Sequence, residues 1–522
     1  MKENIYITGF MGAGKSTVAR TLAQFLKRPF IDMDEVISRK SGMSVASYFE
    51  QFGENKFREA ETAALSEIAS KNRVVVATGG GTPIRPVNRS MMRDSGIIVY
   101  LQAPLQDCRT RLGPADSLER PLWQDWPSVE TLFHSRTPAY EDCDLKIDAS
   151  NMTPDKLAME ICEKLESPRT INVNLGDSEH TLILSWRASC ELSDILKTRK
   201  KIVVTDKRVS KFHLDRYSPI LEDATIVALR PGERSKTLGS ASRLYEVMLR
   251  DNIGRDGLLI AIGGGVVTDL GAFVASTYKR GIPFILVSTS LVGCVDAAIG
   301  GKAAIDLKAV KNPVGCFSSP SRVILDLTAL GTLPSRCLTE GLVEAYKTGL
   351  VANNELAGII KTDINPLLRG DMLCLARIVK LSALTKVEIV GKDFKESGLR
   401  RILNFGHTYG HAVESFSNYR LSHGTAVAVG MMVAISLSER RGLLSSSVSE
   451  SIMTTLNRFV AGPVLAPPIK IAWEIMMNDK KNRNGRVNFV LLEGVSSPIY
   501  VDDVTPDELA KAVREVEALK NG

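Results

Sequence analysis

With 522 residues, 44% of them hydrophobic and 24% charged, the chain is too long for one ordinary core and has neither a disordered nor a membrane composition. Its net charge of +7 is spread without a basic block, which favours phosphorylated metabolites over nucleic acid, and no apolar run approaches the roughly 20 residues of a membrane span. The eight cysteines include no Cys-x-x-Cys pair and Met1–Ile7 leaves no room for a signal peptide, so a cytoplasmic protein with reduced thiols is expected.

Residues 1–165 alternate apolar runs at Ile5–Thr8, Phe30–Ile31, Val74–Ala77, Ile97–Leu101 and Leu145–Ile147 with longer helical stretches. That pattern is α/β, a parallel sheet with helices on both faces. Between the first strand and helix, Gly9-Phe10-Met11-Gly12-Ala13-Gly14-Lys15-Ser16 is a full G-x-x-x-x-G-K-S loop. Its backbone N–H groups, at a helix N-terminus, suit a phosphate; Lys15 reaches the outer phosphates and the Ser16 hydroxyl a magnesium ion. Asp32 and Asp34 fall at the end of the second strand, alternating across it, so one can face the metal and the other an acceptor hydroxyl. Arg58 alone reads as a helix surface charge, and Gly79, Gly80 and Gly81 permit close backbone approach to a ligand. Arg120 lies in a loop, 113–125, suited to a lid, and Arg136 begins a helical turn. A helix capped at Thr153, with Pro154 at its first position, closes a domain over 1–166, with a linker at 166–170.

A second α/β series follows over 170–330, with strands at Ile202–Thr205, Thr225–Leu229, Leu258–Ile262, Phe284–Val287 and Val323–Leu325. From 331 to 522 the pattern is mostly helical, with one late strand pair at Val487–Leu492 and Ile499–Val501. The strand Leu258–Ile262 runs into Gly263-Gly264-Gly265, a turn able to cradle a pyrophosphate. Pro231–Lys236 adds a glutamate suited to a ribose and a lysine suited to a phosphate. Three of the six histidines crowd into His407, His411 and His423, which suggests a divalent metal, zinc above all. Spacing nominates His407 and His411, four apart on one helix face, with Glu344 or Glu414 completing the set.

The loop, the Asp-x-Asp, the Phe-Arg-x-x-Glu of Phe57–Glu61, the triple glycine, the Arg-Pro and Arg136 stand in the order and spacing of shikimate kinases, which the first 165 residues resemble. The resemblance implies ATP bound by Gly12, Ala13, Gly14, Lys15, Ser16, Thr17 and Arg120, with magnesium at Ser16 and Asp32. It implies shikimate held by Asp34, Arg58, Gly79, Gly80, Gly81 and Arg136, with Lys15, Asp34 and Arg120 catalytic and Arg109 or Arg111 against the adenine. A gluconate-type P-loop kinase is the rival, and the paired aspartates with two arginines favour a carboxylated cyclic acceptor.

From about 170 onward, Gly263–Asp269, Thr289–Lys302, Lys311-Asn312, Glu344–Lys347, Gly398–Arg400, Leu403–Thr408, Gly410-His411 and His423-Gly424 resemble 3-dehydroquinate synthases. The implied metal ligands, for zinc or cobalt, are Glu344, His407 and His423, with His411 a catalytic or phosphate-contacting group and not a ligand. The implied NAD contacts are Asp206, Glu233, Lys236, Gly264, Gly265, Val266, Asp269, Thr289, Ser290 and Lys311. Those implied for the keto-acid sugar phosphate DAHP are Arg280, Asp296, Lys302, Asn312, Lys347, Lys386, Arg400, Asn404, His411 and one of Lys480 and Lys481, with Lys480 preferred; Lys302, Lys347, Lys386, Arg400, Asn404 and His411 are the catalytic ones. The family's reaction oxidises, eliminates phosphate, reduces and closes a carbocycle, regenerating NAD each turn, and the family is usually dimeric. Asp296-Ala297-Ala298 replaces the usual Asp-Ser-Ser, and Val310-Lys311-Asn312 the usual Gly-Lys-Asn. A polyol dehydrogenase, a sugar-phosphate cyclase making another carbocycle and a degenerate scaffold are the rivals. The pairing with a kinase of the same pathway speaks against the first two, and the retained Glu344 and histidines against the third.

Overall fold

The computed structural model describes all residues except 1–2, 113–124, 167–168, 176–177, 194–199, 309, 418–419, 463–465, 479–485 and 522. The chain divides into two compact units, Met1–Ser167 and Pro168–Gly522.

The first unit is built on strands β1 (Asn4–Thr8), β2 (Phe30–Asp32), β3 (Val75–Ala77), β4 (Gly96–Gln102) and β5 (Leu145–Asp148). They pair in parallel in the order β2-β3-β1-β4-β5. Every residue of β1 is buried, which is why the strand reads as a continuous apolar run rather than an alternating one. The helix Lys15–Leu26 presses Val18, Ala19, Leu22, Ala23 and Leu26 into the core, so its N-terminus is left at the carboxyl end of β1. Asp32 ends β2 and caps the helix Met33–Ser41 by accepting from the Asp34 N–H at 3.0 Å. Asp34 therefore sits in the first turn of that helix. The expected strand alternation of the two aspartates is corrected, because the cap converts the chain to helix one residue earlier. Arg136 lies within the helix Trp126–Glu141 rather than at its start.

The second unit adds β6 (Arg169–Leu175), β7 (Ser178–Ser185), β8 (Lys201–Asp206), β9 (Ala224–Leu229), β10 (Leu258–Gly263), β11 (Phe284–Ser288), β12 (Lys302–Leu307), β13 (Val310–Phe317) and β14 (Arg322–Asp326). Seven of these form a sheet in the order β6-β7-β14-β11-β10-β8-β9, parallel except for the β6–β7 pair. β12 and β13 make a separate antiparallel hairpin. Neither that hairpin nor the β6–β7 pair was expected from the sequence. β10 is buried at all six positions, as a central parallel strand covered on both faces must be. Beyond β14 the helices Ser335–Ala352, Met372–Lys392, His407–Phe416 and His423–Arg440 form a largely apolar core, and β15 (Phe489–Gly494) pairs with β16 (Ser497–Val501). None of the eight cysteines is paired. Among the described residues no helix is long and apolar enough to cross a membrane.

Candidate active sites

In the first unit the loop after β1 delivers Gly14 in a left-handed conformation as the cap of Lys15–Leu26, with no side chain blocking the helix N-terminus. Gly12 and Gly14 thus leave backbone N–H groups for a phosphate, while the Ala13 N–H donates to the Phe10 carbonyl at 3.2 Å, and Thr17 lies exposed in the first turn. Lys15 donates to the Phe10 carbonyl at 3.0 Å. The Ser16 hydroxyl donates to Asp32 Oδ2 at 2.6 Å, which pairs the two oxygens expected around magnesium.

On the other side of that cleft Arg58 is buried, not a surface charge. Its Nη1 donates to the buried Glu61 at 2.6 Å, and its Nε and Nη2 to Glu54 at 3.2 and 2.8 Å. Burial works against this guanidinium, but the two carboxylates hold its pKa above the ordinary value. A Cβ on Gly81 would fall 1.7 Å from Arg58 Nη1, and one on Gly79 2.5 Å from Glu61 Oε1 and 3.0 Å from Asp34 Oδ1. Only glycine lets the strand end pass this close. Tyr140 donates to the Gly80 carbonyl at 2.6 Å, and Arg136, 4% exposed, reaches toward the same turn. Burial pushes the Arg136 pKa down. Arg111 donates to the carbonyls of Ala13 and Ala149, while Arg109 lies over the Trp126 ring at 4.6 Å. Arg111 is thereby tied into the loop's support and Arg109 is the one stacked on an aromatic. Arg120 lies outside the described residues.

In the second unit one donor atom each from Glu344, His407 and His423 lies within 4.8 Å of the others. Glu344 and His423 approach to 3.3 Å, and Lys347 Nζ is 2.6 Å from the other Glu344 oxygen. A carboxylate and two imidazoles, all oxygen and nitrogen, suit zinc or cobalt, so the residues present fit the expected metal. His411 stands beside the set, its ring 5.4 Å from that of His407 and 6.4 Å from that of His423. Glu414, the other candidate ligand, instead supports His423 from behind: its Oε2 is 3.4 Å from His423 Nδ1 and its Oε1 accepts from Lys311 at 2.7 Å. Burial would raise the Glu414 carboxyl, but His423 and Lys311 hold it down at about 2.

Around this set lie further charged groups. Asp296, in a π-helical turn at Gly293–Ala297, ion-pairs with the buried Lys386. Burial lowers the Lys386 pKa to about 8, with Arg400 adding to the effect and Asp296 opposing it. Arg400 is buried and donates to the carbonyls of Gly300 and Phe394 at 3.0 and 2.7 Å. Glu396 gathers Lys302, by an ion pair, and Asn404, which donates to it at 2.9 Å. Arg280 is exposed beyond the far end of the helix Gly265–Thr277. At 1.5 Å per residue that is roughly 20 Å from the glycine turn, so the fold of one chain does not bring it to this cluster. Lys480 and Lys481 lie outside the described residues.

The dinucleotide side is a cleft lined by Asp206, Leu229, Gly232 and the Gly264–Val267 turn. No side chain caps the helix that starts at Gly265, so its first N–H groups face the cleft open to a pyrophosphate. Thr289 donates its N–H to the Gly263 carbonyl at 3.0 Å, and Ser290 Oγ accepts from the Gly293 N–H at 3.2 Å, fixing the neighbouring strand end. Lys236 is buried between Asp269 Oδ2 and Asn312 Oδ1, 2.5 Å from each, with Glu233 at 4.0 Å. Burial raises the carboxyls of both Glu233 and Asp269. Ala297, one of the residues that depart from the expected motif, has its Cβ 3.3 Å from where a Gly265 side chain would start.

Sequence reasoning did not single out Glu54, Glu61, Tyr140 or Glu396 as functional. Glu61 carried a usable signal, the i, i+3 spacing from Arg58. Tyr140 and Glu396 act through long-range packing and carried none.

The shikimate kinase family matches residues 11–166, the 3-dehydroquinate synthase N-terminal family residues 226–340, and the 3-dehydroquinate synthase C-terminal family residues 341–482. A bifunctional shikimate kinase/3-dehydroquinate synthase of Thermotoga maritima is 31% identical over 520 residues, covering 98% of this chain and 99% of its own. A 3-dehydroquinate synthase of Symbiobacterium thermophilum is 35% identical over 349 residues, covering 65% of this chain and 98% of its own. Among solved structures, the 2-epi-5-epi-valiolone synthase ValA of Streptomyces hygroscopicus subsp. jinggangensis, with NAD+ and Zn2+ bound, aligns with a TM-score of 0.61 at 26% identity, covering 66% of this chain and 99% of its own.

Proposed function

The chain belongs to the bifunctional shikimate kinase/3-dehydroquinate synthase family, and from that premise we propose which of its residues carry each activity. Both activities serve aromatic amino acid biosynthesis. The observation that carries the assignment is that each unit gathers buried cations around a separate acceptor site: Arg58 and Arg136 in the first, Lys347, Lys386 and Arg400 beside the Glu344–His407–His423 set in the second.

In the kinase unit, Arg58 and Arg136 pair the shikimate carboxylate, and Asp34, beside Gly79, orients the attacking hydroxyl and accepts its proton. Gly12–Thr17 cradle the ATP phosphates, and Lys15 neutralises charge developing on the transferred phosphoryl group. Ser16 and Asp32 would hold magnesium, and Arg120 would close over the phosphate.

In the synthase unit, Glu344, His407 and His423 would hold zinc or cobalt, and Asp206, Glu233, Lys236, Gly264, Gly265, Val266, Asp269, Thr289, Ser290 and Lys311 would hold NAD. When bound, NAD supplies a transient oxidation of a carbinol and the metal polarises the oxygens involved. Lys302, Lys347, Lys386, Arg400, Asn404 and His411 bind the carboxylate and phosphate of DAHP, with Asp296 holding Lys386 in place and Asn312 holding Lys236. Lys480 belongs to the proposed phosphate contacts; Arg280, which its own chain leaves away from this cluster, would reach a phosphate only from a second copy of the chain. A cyclase making a different carbocycle is disfavoured, because ValA is 26% identical whereas the T. maritima relative matches both units together. We further propose a cytoplasmic enzyme, supported by the unpaired cysteines, that acts on small molecules and not on nucleic acid, supported by a net charge of +7 spread without a basic block. The exposed apolar residues Leu307, Val310, Val314 and Phe317 of the β12–β13 hairpin support a homodimer through the synthase unit.

The test assays ATP-dependent phosphorylation of shikimate and phosphate release from DAHP on the intact chain with NAD and metal supplied. Lys15→Met should abolish the first alone and His407→Ala the second alone. Absence of either activity in the unaltered chain overturns the reading.

A further inference from the structure

The seat formed by Arg58 and Arg136 already holds a carboxylate of the chain's own. One edge of the Arg58 guanidinium is fixed by Glu61, whose side chain is 1% exposed. The other edge donates to Glu54 Oε1, and Arg136 Nη2 lies 4.0 Å from that same oxygen. Glu54 differs from Glu61 in being 51% exposed, so it can leave for solvent where Glu61 cannot. Arg136 needs an anion: it is buried, and its Nε has no hydrogen-bond partner among the described residues. Two guanidinium groups this close repel, and in a partly desolvated pocket a carboxylate between them is strongly favoured.

The residue before Glu54 adds a joint. Gly53 has φ 75° and ψ 172°, breaking the run Val45–Ala69 into two helical pieces. That backbone conformation is open essentially only to glycine, and nothing lies within 4 Å of where a Cβ would be. Glycine there answers to backbone conformation and not to crowding. Glu54 is the first residue past this break.

We propose that Glu54 is an internal competitor for the substrate's carboxylate, occupying the Arg58–Arg136 seat in the free enzyme and vacating it when shikimate binds. This rests on the reading that those two arginines hold the shikimate carboxylate. Binding is then an exchange of one carboxylate for another. Glu54 becomes a specificity-determining residue: an acceptor without the anion has less with which to displace it. The apparent affinity is reduced by the fraction of enzyme in which the seat is taken.

The experiment measures steady-state kinase kinetics of Glu54→Gln in the full chain, with shikimate and with its methyl ester. A half-exposed ion pair is worth at most about 1 kcal/mol, so KM for shikimate should fall ~2- to 5-fold, with no such fall for the ester. An unchanged or raised KM for shikimate overturns the proposal and makes Glu54 a structural support for Arg58, as does an equal fall for both substrates. Glu54→Ala gives a second reading of the same KM should the glutamine variant fold poorly. Arg58→Met and Arg136→Met separate this idea from its premise. If they leave KM for shikimate unaltered, the premise fails; if they raise it while Glu54→Gln does not lower it, only the competitor fails.

Discussion

Replacing Glu61 by glutamine should destabilise the kinase unit and weaken its hold on shikimate, the reverse of the effect expected at Glu54. Glu61 is fully buried, accepts from Arg58 Nη1 at 2.6 Å through one oxygen and from Thr82 Oγ1 at 2.6 Å through the other. The amide keeps the shape and can keep both hydrogen bonds, with its oxygen toward Arg58 and its NH2 toward Thr82. What disappears is the negative charge facing a guanidinium that is 9% exposed. Breaking a buried pair costs about 3–5 kcal/mol; Glu54 still faces Arg58, so the lower end, about 3 kcal/mol, is expected. At about 2–4 °C per kcal/mol for a domain of this size, the melting transition of the kinase unit should drop by roughly 6–12 °C. The freed guanidinium also loses its orientation, and a charge-assisted hydrogen bond worth about 1.5–3 kcal/mol corresponds to a ~10- to 100-fold rise in KM for shikimate. Calorimetry of the intact chain and initial-rate kinetics read the two effects. A transition that stays in place together with an unchanged KM would refute the view that Glu61 fixes Arg58.

Glu344→Gln should strip the synthase unit of tightly held metal, since it removes the only anionic donor of the three-residue set; metal content after dialysis measures it. Glu414→Gln should lower metal affinity by ~10- to 100-fold, because the carboxylate at 3.4 Å from His423 Nδ1 orients that ring, and chelator competition reads this without turnover. Burial pushes the Lys386 pKa down to about 8, with Asp296 opposing it. Below that it is cationic and above it neutral, so kcat/KM for the anionic substrate should fall as pH rises through about 8. Residual activity of Lys386→Met should lack that inflection.

Much of the fold was legible because its strands are buried on both faces. β1 and β10 read as unbroken apolar runs followed by glycine turns, and the structure carries a phosphate-suited helix N-terminus after each. The β12–β13 hairpin was not legible. β13 is mostly exposed and contains Pro313 and Gly315, a composition that reads as loop, and it is a strand only because β12 pairs with it. The β6–β7 pair escaped for a related reason: β6 is an antiparallel edge strand with one partner, so it lacks the apolar run that marked the central strands.

The sites divide in the same way. Residue type and local spacing were enough to place Lys15 and Ser16 at the start of a helix and to draw attention to the histidines, because turns and helical periodicity depend on neighbours in sequence. Spacing alone favoured His407 with His411, which the structure leaves with rings 5.4 Å apart on one helix. The gathering of Glu344, His407 and His423 comes from three separate helices packed together. Arg58 makes the same point: its sequence context is that of a solvated helix charge, and only the passage of Gly81 against it, with Glu61 beneath, turns it into a buried, ion-paired group. The sequence by itself determined which chemical groups and which local turns were present. Tertiary packing decided which of those groups lost water together, and a charge becomes a specific ligand for another group only where water no longer screens it.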